Sequence, residues 1–248
     1  MALEAYALGA LPEVRAGADI ARLIVDTGAQ LRAGDVLAIA HKAISKSEGR
    51  VIALGDVSVS AEARELARRT QKDPRLAQVI VDESAEIVRA EPGVLIARTH
   101  HGFVCANAGV DASNAPAPDT LVLLPKDPDS SARALRARLR ELAGVAPAVL
   151  ITDSFGRPWR IGQQEVAIGA AGLRVLEDLR GTPDGVGRSL RATAVAIADQ
   201  IASAADLVRS KSSREPVVLV RGMERHVCEQ DGGGAAALIR AQGEDLFR

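Results

Sequence analysis

Three segments of the chain carry clusters of polar side chains directly after, or at the end of, an apolar run. The segment CANAGVDASN contains Asp111 and Asn114, and the segment ITDSFGRPWR contains the adjacent residues Asp153 and Ser154. The third segment, HKAISKSEGR, follows the apolar run DVLAIA. A carboxylate oxygen beside a hydroxyl oxygen is a hard ligand of the kind that Mg²⁺ and Mn²⁺ prefer. Asp153 and Ser154 therefore indicate a divalent-cation site. Asp111 and Asn114 indicate a binding loop or, equally, an ordinary turn, in which Asn, Gly and Asp are common.

The basic residues of the same segments suit the binding of negatively charged groups. Arg157 and Arg160 follow the acid and hydroxyl of the second segment. Guanidinium groups neutralise phosphates or bind carboxylates, so either arginine could contact a charged substrate. Lys42 and Lys46 lie with two serines in a predicted turn after a strand, where they could contact phosphate oxygens. A solvated turn explains this third segment equally well.

Several common functional classes are excluded by what the sequence lacks. It contains no GxxxxGK phosphate loop, no GxGxxG after a predicted strand, no HExxH and no GxSxG. Cys105 and Cys228 do not belong to a metal-spaced cluster, and Cys105 lies in an apolar run that predicts core packing rather than nucleophilic chemistry. The formal net charge of -1 and an aromatic content of 2% argue against nucleic-acid binding.

The N-terminal segment and the apolar runs give no sign of a membrane protein. The segment MALEAYALGALPEV carries acidic residues where a signal peptide needs basic ones. No run reaches the roughly 18 apolar residues that a membrane span needs. We therefore expect a cytoplasmic protein with no membrane contact.

Alternation of short apolar runs with amphipathic stretches predicts a mixed α/β fold. The chain is expected to form one domain over residues 1–248, or two intertwined subdomains. Predicted strands cover residues 3–8, 35–40, 50–54, 93–98, 103–106, 121–124, 148–152 and 216–220. Predicted helices cover 19–31, 60–70 and 188–208, begin at Asp73-Pro74 and at Asp127-Pro128, and follow the glycines 232–234. Residues 154–164 are predicted to be a loop.

Four motifs in one order resemble the coenzyme F420:L-glutamate ligase family. They are HKAISKSEGRV, HGFVCANAGVDASN, LLPKDPDSSARALRARL and ITDSFGRPWRIGQQEVAIGAAGL. The resemblance extends from the LPEV segment near residue 11 to VVLVRG near residue 222. It implies mixed sheets with flanking helices and an inserted subdomain.

The resemblance also implies an activity. The family is described as adding L-glutamate, with GTP and divalent metal ions, to coenzyme F420-0, a deazaflavin with a phospholactate tail. The cations expected are Mg²⁺ or Mn²⁺, with K⁺ as an additional ion, and a homodimer is expected. Trp159 is expected to pack within the protein, or otherwise to contact the flat deazaflavin ring.

Site residues follow from the same resemblance, position by position. It implies that Asp111, Asp153 and Ser154 bind metal, with serine standing where the family usually has threonine. Asp111, Asp153 and Arg157 are the implied catalytic residues. The implied nucleotide-contacting positions are Leu11, Pro12, Glu13, Val14, His41, Lys46, Asn114 and Lys211.

Two departures leave other functions open. His41 stands where a small hydroxyl residue is expected, and residues 209–215 read RSKSSRE where the family more often has a glycine-containing segment with an amide or acid near Lys211. One alternative is an amide ligase that acts on a different carboxylate. The other is a catalytically silent protein that binds the deazaflavin or a nucleotide.

Overall fold

The computed structural model describes residues 2–210 and 212–247. Its strands are β1 (Glu4–Ala7), β2 (Val36–Ala40), β3 (Val51–Ala53), β4 (Ser84–Glu91), β5 (Val94–Thr99), β6 (Val104–Ala106), β7 (Thr120–Val122), β8 (Ala148–Arg157), β9 (Arg160–Ala171), β10 (Glu177–Asp178), β11 (Ala194–Val195) and β12 (Val217–Arg221). Its α-helices are α1 (Ile20–Asp26), α2 (His41–Ser47), α3 (Ala61–Thr70), α4 (Pro74–Asp82), α5 (Pro128–Ala143) and α6 (Ile197–Asp206). The predicted mixed α/β fold class is confirmed.

The main sheet contains five strands in the order β1-β12-β2-β8-β9. Strands β2 and β8 are parallel, and the other neighbours are antiparallel. Because successive side chains point to opposite faces, Leu37 and Ile39 pack towards α1 and α5, whereas Val36 and Ala38 pack towards α6. Burial on both faces explains why these strands are continuous apolar runs in the sequence.

A second hydrophobic cluster forms between residues 51 and 122, after α2 and before α5. Strands β4, β5 and β6 make a three-stranded antiparallel sheet, and β3 pairs with β7. Ile80 of α4 and Leu95 of β5 are buried in this cluster. The chain therefore leaves the main sheet after β2 and returns to it with β8. This arrangement brings residues 111 and 113–115 close to the ends of β2 and β8.

Helix starts follow the predicted caps closely. The carboxylates of Asp19, Asp73 and Asp127 and the hydroxyl of Ser60 each accept a backbone N–H of the first turn. Such caps satisfy amides that have no partner within the helix. Cap chemistry is local, and this is why the sequence predicts it well.

The structure differs from the sequence-based expectation in three segments. Residues 154–164 are not a loop: β8 continues to Arg157, the chain turns at Pro158-Trp159, and β9 returns antiparallel. Residues 41–47 form helix α2 rather than a turn. The exposed strand β4 was not predicted, because its sequence SAEIVRAE has no clear apolar alternation.

Three predicted helices are shorter in the structure than the sequence pattern indicates, or are replaced by 3₁₀ turns. The alanine-rich stretch 188–208 is helical only over α6, because Ala194 and Val195 pair with β10. Helix α1 ends at Asp26, just before Gly28, whose φ of 76° does not continue a helix. The segment after the glycines 232–234 forms only short 3₁₀ turns, at Ala235–Leu238 and Gln242–Glu244.

Helix α5 anchors the segment that follows β12. Arg136 is buried, and its guanidinium donates hydrogen bonds to the carbonyls of Pro147, Cys228 and Glu229 and to the Asp231 carboxylate. At the start of the same helix, Asp129 accepts the backbone N–H groups of residues 235 and 236. Within the described residues, no helix is long and apolar enough to cross a membrane.

Candidate active site

A cleft of about 700 Å³ lies where the parallel strands β2 and β8 end. Ala40 and Thr152 are register partners at this end of the two strands. The residues that follow them therefore meet, and His41 Nε2 lies 3.4 Å from Asp153 Oδ1. Binding groups are commonly found beyond the carboxyl ends of strands in α/β proteins.

The predicted metal-binding residues Asp111, Asp153 and Ser154 all line this cleft. Asp153 and Ser154 lie on β8, whereas Asp111 belongs to the segment after β6 and forms an isolated bridge with Val122. The backbone N–H of Ser154 donates to Asp153 Oδ1 at 2.8 Å, which fixes the carboxylate. Two acids that are distant in sequence thus face one cavity.

Lysine and serine groups hold Asp111 in its charged form. Asp111 Oδ2 accepts from Lys42 Nζ at 2.6 Å and from Ser113 Oγ at 2.7 Å. Burial raises the pKa of Asp111, but these hydrogen bonds and that of the Ser113 amide outweigh it, so the pKa is below its ordinary value.

The oxygen donors of the cleft are of the type that divalent cations take as ligands. Over residues 2–210 and 212–247, no group of three or more His, Cys, Asp and Glu side chains is arranged to hold a metal ion. Two carboxylates and a hydroxyl are nevertheless a typical protein contribution for Mg²⁺, which takes its remaining ligands from water and substrate phosphates. The donor set therefore suits a cation that binds together with a nucleotide.

His41 is enclosed beside Asp153. The residue is 2% exposed, and its Nδ1 lies 3.2 Å from Ser45 Oγ. Among residues 2–210 and 212–247, Nε2 has no hydrogen-bond partner, since Asp153 Oδ1 approaches it to 3.4 Å without hydrogen-bond geometry. The imidazole therefore occupies the cleft wall where the resemblance implies a smaller hydroxyl residue.

The predicted nucleotide-contacting positions also lie along the cleft. The lining includes Leu11, Pro12, Glu13 and Val14, and Lys46 Nζ contacts Glu13 Oε1 at 2.7 Å. Asn114 also lines the cleft, in a left-handed backbone conformation with φ of 54°. Lys211 lies outside the described residues, although its neighbours Ser210 and Arg214 line the cleft.

The structure does not bring Arg157 to the other predicted catalytic residues. Its guanidinium donates to the carbonyls of Ile161 and Gly162 across the β8–β9 turn. Arg157 lies four residue steps along the strand from Asp153, which corresponds to about 13 Å. Trp159, in the same turn, is 77% exposed, so the expectation that it packs within the protein is wrong.

Cys105 is unsuited to nucleophilic chemistry. Burial, followed by the charge of Asp153, raises the pKa of the Cys105 thiol to about 12. Since the thiolate is the nucleophilic form, this cysteine is inert at neutral pH. Its predicted role in core packing agrees with its buried position on β6.

Comparisons with known proteins give one consistent answer. A family model described as F420-0:Gamma-glutamyl ligase matches residues 9–222. The chain belongs to this family. It is similar to the protein named coenzyme F420:L-glutamate ligase of Methanopyrus kandleri, with 50% identity over 95% of this chain and 94% of that protein. The proteins of the same name from Methanothermobacter thermautotrophicus and Methanocaldococcus jannaschii are 42% and 44% identical, covering 100% and 87% of this chain, and 100% and 85% of those proteins.

The sequence reasoning missed three polar residues in the cleft of this family member. Lys42 was considered with its segment but was not chosen, although it contacts Asp111. Glu165 and Arg209 stand within quoted motifs but are not among the predicted site residues, and they form a buried ion pair at the cleft wall. Glu165 lies directly across the hairpin from Ser154, and only recognition of β9 as a strand could have indicated that pairing.

Proposed function

We propose that this chain is a GTP- and divalent-metal-dependent ligase that attaches L-glutamate to coenzyme F420-0, in coenzyme F420 biosynthesis. Further glutamates would be added through γ-linkages. The observation that carries the proposal is that Asp111 and Asp153, from separate parts of the chain, line one cleft with Lys42 and Lys46. The family to which the chain belongs supplies the substrate class.

The chemistry requires activation of a carboxylate, because a carboxylate is itself a poor acylating agent. The γ-phosphoryl group of GTP is transferred to the terminal carboxylate of the coenzyme, which releases GDP and gives an acyl phosphate. The amine of L-glutamate then attacks the carbonyl carbon, phosphate leaves with the C–O bond electrons, and the nitrogen loses a proton. The product is an amide.

Positioning and charge neutralisation are the main contributions of the protein to such a reaction. Lys42 and Lys46 place two ammonium groups in the cleft, where they are able to contact phosphate oxygens. Asp111, Asp153 and Ser154 would hold the cation, which neutralises phosphate charge when bound. No protein nucleophile is required, in agreement with the unreactive state of Cys105.

A glutamylation assay tests the proposal directly. The protein is incubated with coenzyme F420-0, L-glutamate, GTP and Mn²⁺, the products are separated, and their masses are measured by mass spectrometry. We expect addition of one glutamyl residue or more, GDP and phosphate release, and no product when GTP or metal is omitted. Replacement of GTP by ATP and of Mn²⁺ by Mg²⁺, with and without K⁺, measures the nucleotide and ion preferences.

The same assay separates the two alternatives. Phosphate release with another acceptor acid, but not with coenzyme F420-0, would identify an amide ligase of different specificity. Binding of nucleotide or coenzyme without any phosphate release would identify a silent binding protein. Either result contradicts the proposed activity.

We also propose that the protein is a homodimer. Trp159 and Ile161 at the β8–β9 turn are 77% and 100% exposed, and Leu246 and Phe247 near the C-terminus are 72% and 68% exposed. The rings of Trp159 and Phe247 are 5.8 Å apart, so the β8–β9 turn and the C-terminal segment meet at these two exposed aromatic side chains. Light scattering of the purified protein measures the mass, and an Ile161→Asp variant should dissociate. A monomer at all concentrations contradicts this proposal.

A further inference from the structure

Glu165 is an acid buried in the wall of the cleft. It lies on β9, it is 4% exposed, and its register partner on β8 is Ser154. A charged side chain in such a position must have its oxygens occupied by hydrogen bonds, since burial without partners is costly.

Each oxygen of Glu165 faces a different set of donors. Oε1 accepts from Thr152 Oγ1 at 2.7 Å and from the Arg209 guanidinium. Oε2 accepts from Ser154 Oγ at 2.7 Å. Arg209 Nη2 also donates to Thr152 Oγ1 at 2.9 Å, which joins these side chains in one network.

The network determines how the Ser154 hydroxyl is oriented. A hydroxyl has one proton, and that of Ser154 is directed at Glu165 Oε2. The oxygen can then approach a cation only with its lone pairs, as a metal ligand must. The Ser154 N–H bond to Asp153 Oδ1 keeps the two oxygen donors beside each other.

We propose that Glu165 is a positioning residue for the cation site, which orients the Ser154 hydroxyl through Oε2 while Arg209 and Thr152 hold Oε1. The inference rests on the proposed function, because it concerns the cation that this function requires. Outer groups that orient metal ligands typically contribute a factor of about 10 to 100 in metal affinity.

Glu165→Gln is the informative change, because it keeps the shape of the side chain but reverses the direction of its hydrogen bond with Ser154 Oγ. Arg209 and Thr152 are donors, so the amide oxygen of the new side chain will face them. Its NH₂ group then faces Ser154 and donates to the hydroxyl oxygen. The amide NH₂ cannot accept the serine proton, so the hydroxyl loses the orientation that Glu165 Oε2 gives it.

Binding of Mn²⁺ is measured by electron paramagnetic resonance of the free ion, with a non-hydrolysable GTP analogue present. We expect Glu165→Gln and Ser154→Ala each to raise the Mn²⁺ dissociation constant about 10-fold or more. The double variant should bind no more than about twofold more weakly than Ser154→Ala, because both changes remove the same interaction. Glu83→Gln is the matched control, since Glu83 pairs with Arg50 outside the cleft, and it should leave the constant within about twofold.

Several outcomes overturn the inference. One is an Mn²⁺ affinity of Glu165→Gln equal to that of the wild type. Another is a double variant whose Mn²⁺ dissociation constant is raised by the product of the factors found for Glu165→Gln and Ser154→Ala separately. If Glu165→Gln fails to fold, the variant Glu165→Gln with Arg209→Gln removes both buried charges, and the same weakening of Mn²⁺ binding is expected from it.

The wild-type protein separates this inference from the proposed function. Wild type that binds no Mn²⁺ with the nucleotide overturns both. Wild type that binds Mn²⁺ and shows the expected pattern, but adds no glutamate, overturns the activity alone. Wild type that adds glutamate, with Mn²⁺ affinity unaffected by Glu165→Gln, overturns the inference alone.

Discussion

Asp153→Asn is the most direct test of the cation site. The change keeps the size of the side chain and one oxygen that can accept from the Ser154 N–H, but it removes a negative charge from the cleft. The Asp153 side chain is 17% exposed, so solvent screens this charge only in part. We expect glutamylation to fall by at least ~10²-fold while the protein remains folded.

The magnitude follows from the charges involved. Two unit charges 4 Å apart interact by about 4 kcal/mol at an effective dielectric constant of about 20, so a carboxylate and a divalent cation interact by about 8 kcal/mol as an upper bound. The amide oxygen and water recover most of this interaction. If about a third of the carboxylate–cation interaction energy is lost in the variant, the net loss is roughly 2.7 kcal/mol. This corresponds to a factor of about 100 in rate.

The assay is kcat/KM for glutamate addition at saturating and at limiting Mn²⁺. Circular dichroism and thermal melting establish that the variant is folded. Asp26→Asn is a suitable control, because Asp26 lies on α1 and its side chain is 60% exposed. If Asp153→Asn retains more than a third of wild-type activity at limiting metal, the assignment of Asp153 to a cation site is refuted.

Three further measurements test other parts of the argument. GTP with Mn²⁺ should raise the melting temperature more than either alone, through linkage of binding to folding, and no shift at millimolar concentrations would count against a nucleotide site. Cys105→Ala should retain turnover within a few-fold, since the pKa of the thiol is raised to about 12, and a large loss of kcat in a folded variant would contradict a packing role. Arg136→Ala should lower the free energy of unfolding by about 3 kcal/mol or more in urea titrations, because several carbonyls lose a buried donor, and a change below 1 kcal/mol would show that water replaces it.

Local chemistry accounts for much of what the sequence predicts correctly. A cap such as Asp127 followed by Pro128 depends on only a few neighbouring residues, and the structure has a helix start there. The runs that became β2 and β8 are buried on both faces, so hydrophobicity alone identifies them. The resemblance named the residues of the cleft, and Asp111, Asp153, Lys46 and Asn114 indeed share it.

Features that depend on pairing between distant segments were not predictable in the same way. Gly156 and Pro158 favour a loop in any short window, yet the β8–β9 ladder extends β8 to Arg157. Glu165 gains its role from a partner 11 positions earlier and from Arg209, which comes from a third element. The position of Arg157 outside the cleft has the same cause. An extended strand carries each successive residue farther from Asp153, whereas the predicted loop could have folded back towards the cleft.

The pairing of β8 also has a consequence for the dynamics of the cleft. Its register with β2 ends at Thr152, whereas its register with β9 continues to Arg157. Asp153 and Ser154 are thus the first residues beyond the point where β8 has neighbours on both sides. If β8 and β9 separate by fraying that begins at their exposed turn, the fraying reaches Asp153 and Ser154 before it reaches the sheet interior. A ligand bound in the cleft would hold Asp153 and Ser154 in place at this boundary. It would thereby slow the opening of the part of the β8–β9 hairpin that extends beyond Thr152.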